Sequence, residues 1–139
     1  MKESRATRVI AAFFTSSLML VSGCGGTSTV EPATHVSIQN ATTDSVAVFL
    51  FEREDSYLVD PIPETSSAAM RDRLIPPGGQ RLFELTQVLR YQSGKDLRVF
   101  IYRVRQGRAV FAAIRDASSA SLRSNGYAVE IPATAFQSP

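Results

Sequence analysis

Two apolar runs on either side of one tight turn set the strongest limit on how this chain folds. Leu97-Arg98-Val99-Phe100-Ile101-Tyr102-Arg103-Val104 and Ala109-Val110-Phe111-Ala112-Ala113-Ile114 are rich in β-branched and aromatic residues. Such residues suit a pleated, half-buried strand. Arg105-Gln106-Gly107-Arg108 between them predicts a β-hairpin. Val46 to Phe51 is a third unbroken run, and Val36-Ser37-Ile38 alternates. Arg81-Leu82-Phe83-Glu84-Leu85 follows the turn signal Pro76-Pro77-Gly78-Gly79, and Tyr127 to Ile131 follows Asn125-Gly126. Short strands with no βαβ rhythm predict an all-β fold: a small antiparallel β-sandwich, immunoglobulin-like or transthyretin-like, with one or two short helical turns. The helical turns fall at Thr86–Tyr91, capped by Thr86, and at Asp116–Ser124, with Asp116 at its start. Residues 55–73, with Pro61 and Pro63, read as a long loop with one helical turn.

Side chains alternate across a strand, so each run divides into two faces. Val46, Val48 and Leu50 share one parity; Ala47, Phe49 and Phe51 share the other. In the next strand Leu97, Val99 and Ile101 oppose Phe100, Tyr102 and Val104. In the third, Val110, Ala112 and Ile114 oppose Ala109, Phe111 and Ala113. Each strand thus carries an aliphatic face and a more aromatic one. A two-layer sandwich needs only one apolar face per sheet. The aromatic face must then be covered by the 55–75 segment or the short helices, or be used. Phe49, Phe51, Phe100, Tyr102 and Phe111 form the candidate binding face.

The amino-terminal region has a different grammar. Lys2, Arg5 and Arg8 precede an apolar run over residues 9–21, the order of charges and apolar residues found in a secretory signal. The run is shorter than the about 20 residues of a membrane-spanning helix. Its apolar residues lie on all sides, unlike the single stripe of an amphipathic helix. Val21-Ser22-Gly23-Cys24 follows directly, and it resembles the lipobox of bacterial lipoproteins. The resemblance implies that residues 1–23 are removed and that Cys24 carries lipid as the first residue of the mature protein. Two or more acyl chains hold a protein stably at a membrane, where one does not. Gly25, in place of the Asp that favours inner-membrane retention, implies the outer membrane if the organism has one. Residues 24–34 are small, polar and broken by Gly and Pro, so they read as a flexible tether to a domain spanning 35–139.

Charge and composition narrow the function classes. Twelve basic and twelve acidic residues lie beyond residue 23, so the mature part is formally neutral and lacks the basic excess of a nucleic-acid binder. Cys24 is the only cysteine and His35 the only histidine, too few for a disulfide or a Cys/His zinc site. His35 stands at the end of the tether and reads as a solvated residue, not a catalytic one. Glu52, Asp55 and Asp60 lack the spacing of a calcium loop. Glu52, Glu54, Asp55, Asp60 and Glu64 read as surface partners of Arg98, Arg103, Arg105 and Arg108, each pair worth roughly 0–1 kcal/mol. Asn40-Ala41-Thr42 matches a glycosylation sequon but reads as a turn. No motif calls for a cofactor. The expectation is a non-enzymatic, lipid-tethered module that engages an envelope protein or an extracellular ligand. A structural or stress-related envelope lipoprotein and a small hydrolase using His35 are the alternatives.

Overall fold

In the computed structural model, residues 33–88 and 94–137 are described, and all belong to one compact unit. The signal, Cys24, residues 24–32 of the tether and the end of the 86–91 helical turn lie outside the described residues. The chain runs β1 (His35–Asn40), β2 (Ser45–Glu52), β3 (Glu64–Ser66), β4 (Leu74–Ile75), β5 (Gln80–Glu84), β6 (Leu97–Arg105), β7 (Arg108–Ala117), α1 (Ser119–Ser124) and β8 (Ala128–Ile131). These strands form a small all-β sandwich. One sheet has three strands in the order β5-β1-β8; the other has five in the order β3-β7-β6-β2-β4.

The aliphatic parities of β2 and β6 meet the smaller sheet. Val46, Val48, Leu50, Leu97, Val99 and Ile101 pack with Val36, Ile38, Val129 and Ile131 in one buried cluster. Each such side chain contributes about 1.5–3 kcal/mol on burial. The β6–β7 hairpin turns at Gln106 (φ 50°) and Gly107 (φ 75°), the paired positive φ that matches strand twist in a two-residue turn. Pro77 and Gly78 build the other tight turn. Gly78 takes φ 67°, and the Gly79 amide donates to the Pro76 carbonyl at 2.9 Å.

Four features depart from the sequence reading. First, the sandwich is not antiparallel throughout: β1 and β8 run parallel, from Ser37 beside Ala128 to Asn40 beside Ile131. Strands at opposite ends of a chain have no hairpin to force them antiparallel. Second, β3 and β4 emerge from the segment read as loop, which also holds 3-10 turns at Asp55–Leu58 and Ser67–Arg73. Third, a bulge in β7 leaves Ala112 without a partner between Phe111, opposite Tyr102, and Ala113, opposite Ile101. Parity therefore reverses within the strand. Ala113 reaches the aliphatic core, while Val110 and Ile114 are 45% and 47% exposed and build no aliphatic face. Fourth, the helix starts at Ser119 with Ser118 as its cap, accepting from the Ser121 amide at 3.1 Å. Asp116 stays in β7 because Arg98 claims its carboxylate with two bonds of 2.6 and 2.7 Å. Thr86 lies within a 3-10 turn over Leu85–Gln87, where its hydroxyl donates to Glu84 at 2.7 Å; the end of the helical turn read over 86–91 lies outside the described residues.

Asn40 joins the sheets at one end. It is fully buried. Its amide donates to the carbonyls of Asp44 at 2.8 Å and of Ile75 and Pro76 at 3.1 Å each. Its carbonyl oxygen accepts from the Thr42 amide at 3.0 Å and the Thr42 hydroxyl at 2.7 Å. The sequon is thus a turn whose asparagine is consumed by the fold. Among the described residues, no buried side-chain polar atom lacks a hydrogen-bond partner.

Candidate functional site

The five aromatic residues chosen from the sequence lie on one face of the larger sheet, turned away from the smaller one. Tyr102 contacts Phe49 and Phe111 edge to face, with ring centroids 5.6 and 5.7 Å apart. Phe100 meets Phe51 at 5.1 Å and Phe111 at 6.1 Å. Such pairs add about 0.5–1.5 kcal/mol beyond the area they bury.

The centre of this face is covered. Phe100 and Tyr102 are each 2% exposed, packed in a second buried cluster with Ala47, Ala109 and Met70. Met70 comes from the 3-10 turn at Ser67–Arg73, and Val59 and Leu74 pack beside it. The segment read as a loop is therefore a lid. β3 staples it to β7, and the Phe111 amide donates to the Pro63 carbonyl at 3.1 Å. Burial holds the Tyr102 phenol above its ordinary pKa of 10.0.

The margin of the same face stays half-buried at Phe49, Phe51 and Phe111. Phe49 and Phe51 line a recess of 150 Å³ with Leu50, Arg73, Phe83 and Val88. Arg73 ends the lid's 3-10 turn, and its guanidinium lies 4.3 Å from the Phe49 ring centroid. Glu84 and Gln87 also border the recess, and the Glu84 carboxylate accepts from Thr86 and Gln87 at 2.7 Å each. Arg73 makes no ion pair among the described residues. Arg73 and Phe83 stand outside the runs that mark the aromatic face; their part depends on the approach of two chain-distant edges. The recess is walled by five apolar residues together with Arg73, Glu84 and Gln87. Three larger grooves, of 320, 400 and 330 Å³, are lined largely by polar and charged residues.

The other residues weighed from the sequence are dispersed. His35 is exposed at the start of β1, its Nδ1 2.8 Å from the Thr34 hydroxyl oxygen. No group of three His, Cys, Asp or Glu side chains converges among the described residues. Of the acidic set and the hairpin arginines, Glu64 pairs with Arg108. Arg103 and Arg105 converge on Asp44, and Arg98 takes Asp116. The Arg105 and Arg103 bonds draw the Asp44 carboxyl below its ordinary range, and Arg98 does the same to Asp116. Lys95 takes Glu52 and Glu54, at 3.5 and 3.1 Å, and is pushed up, by Glu54 most. Register decides these partners: Arg98 stands opposite Asp116 on neighbouring strands.

Among the described residues no helix is long and apolar enough to cross a membrane. No family model, no curated protein and no solved structure matches this chain.

Proposed function

We propose that this protein is a lipid-anchored, non-enzymatic module of the bacterial cell envelope that binds another envelope protein. The observation that carries the reading is Val21-Ser22-Gly23-Cys24 placed directly behind a charged start and a short apolar run. The fold's first strand begins at His35, so residues 25–34 supply the link between lipid and domain. Gly25 favours the outer membrane. The recess beside Phe49 gives the domain a partly apolar site flanked by Arg73 and Glu84, the mix from which selective protein contacts are built.

Mass spectrometry of the protein purified from membranes tests the address. The expected amino terminus is Cys24 with a diacylglycerol thioether and an acylated amino group. A free thiol at Cys24, or an uncut terminus, overturns it. A pull-down from detergent-solubilised membranes tests the binding role. The expected result is a reproducible partner that excess Cys24→Ala protein displaces. Repeated failure to recover one overturns the role.

A further inference from the structure

We infer that Tyr57 and Leu58, at the corner of the sandwich beside the tether, dip into the surface of a zwitterionic lipid bilayer. The inference rests on the lipid anchor proposed above and says which way the anchored domain faces. The 3-10 turn at Asp55–Leu58 is inside out. Ser56 is 3% exposed, while Tyr57 is 70% and Leu58 81% exposed. The fold fixes this arrangement from within: the Ser56 hydroxyl donates to the Arg53 carbonyl at 2.7 Å, and Val59 packs against the aromatic cluster. A buried hydroxyl beside two outward apolar side chains reverses the usual order of a watered surface. Tyrosine, an apolar ring with a polar tip, suits the boundary between lipid and water.

Position ties this corner to the anchor. β1 begins at His35, opposite Glu84, and the recess lined by Phe51, Glu84 and Val88 brings the end of β2 to the same end of the sandwich. The Asp55–Leu58 turn follows β2 directly. Residues 25–34 span at most about 35 Å, so lipid on Cys24 keeps this end within reach of the bilayer. Two side chains insert weakly on their own. A tether makes their insertion an intramolecular step at high effective concentration.

Charge selects the lipid. Residues 52–60 carry Glu52, Glu54, Asp55 and Asp60 against Arg53 alone, and Lys95, which meets Glu52 and Glu54, offsets one of them. Arg98, under the Tyr57 ring, is taken by Asp116. An anionic surface attracts basic clusters and repels an acidic corner. The basic hairpin of Arg105 and Arg108 lies at the opposite end, away from the pairing of Glu52 with Leu97 and of Leu97 with Ala117. A zwitterionic headgroup instead holds an ammonium outermost, level with these carboxylates, and the acyl boundary beneath it receives the two apolar side chains.

The chain has no tryptophan, so a single introduced one reports its own surroundings. Protein purified from membranes is reconstituted in vesicles of phosphatidylcholine and phosphatidylethanolamine, a fraction of them brominated along the acyl chain. Leu58→Trp is compared with Thr43→Trp, in the exposed turn at the opposite end, and with Leu82→Trp, exposed on the smaller sheet. The expected result is quenching of Leu58→Trp about threefold stronger than of either control, with emission moved to shorter wavelength. Phosphatidylglycerol in the vesicles should weaken that quenching. Equal quenching at the three positions overturns the inference, because tryptophan's own affinity for an interface would then account for it. So does an unquenched Leu58→Trp, or quenching that grows with phosphatidylglycerol. Flotation of the unsubstituted protein with the vesicles separates the two readings. If it floats while Leu58→Trp stays unquenched, the corner contact falls and the anchor stands. If it does not float, both fall.

Discussion

The two faces of the larger sheet are both buried, but by different means. The inner face, Val46, Val48, Leu50, Leu97, Val99 and Ile101, meets another sheet with its own ladder of hydrogen bonds. The outer face, centred on Phe100 and Tyr102, meets a lid made of two 3-10 turns and a three-residue strand. A sheet spreads its load over many strands and fails as a unit. A lid with little backbone pairing of its own opens locally, at lower free energy. The same sheet thus presents a rigid core on one side and, on the other, a cover whose margin holds the recess.

Mutations that remove matched amounts of apolar surface from the two faces should break or sharpen this contrast. Ile101→Ala should cost about 4 kcal/mol in urea unfolding, since the inner face cannot collapse around the cavity. Asn40→Ala, at the seam between the sheets, should cost about 3 kcal/mol, because it strands the buried carbonyl of Ile75 and the part-buried one of Pro76. Met70→Ala, under the lid, should cost less, about 2 kcal/mol, because the lid can settle. It should also let the Tyr102 phenol titrate closer to its ordinary 10.0, which ultraviolet absorbance reads. Equal costs for Ile101→Ala and Met70→Ala would show the two covers to be equivalent.

The smallest effect is electrostatic. Asp44 and Asp116 have carboxyls held below their ordinary 3.8, so the unfolded chain takes up protons first as the solution is acidified. Their stabilisation is complete above that value and fades as pH falls through it and on through their lower folded values. Circular dichroism melts should show a loss of stability below about pH 4. Asp116→Asn should flatten it by less than about 1 kcal/mol, as befits a solvent-reached pair.

The long strands were legible because their pattern is local. β2, β6 and β7 announce themselves through β-branched and aromatic residues, and the hairpin through Gln106-Gly107. β3 and β4 were not, because three and two residues are too few to show an alternation. Only pairing with β7 and β2 makes them strands. The bulge at Ala112 was invisible for a related reason: a parity change in one strand is defined by its partner. At the site, the aromatic set is legible, and a cover over it is one of the two outcomes that alternation allows. Arg73 and Phe83 escaped because neither lies in the runs that defined the face. The charge partners of the arginines escaped because Asp44 and Asp116 stand outside the acidic cluster that drew attention. Sequence proximity groups charges, whereas strand register pairs them.

One consequence follows from the parallel seam between β1 and β8. The central strand of the smaller sheet leaves a ribosome well before its outer neighbour, with Ser37 set beside Ala128. Contacts so distant along the chain form late. Until Ile131 has emerged, β1 has β5 on one flank and nothing on the other. A polypeptide delivered amino end first therefore cannot close this layer prematurely. The arrival of β8 becomes the latch, and truncation before Ala128 should yield a chain that stays open and protease-sensitive.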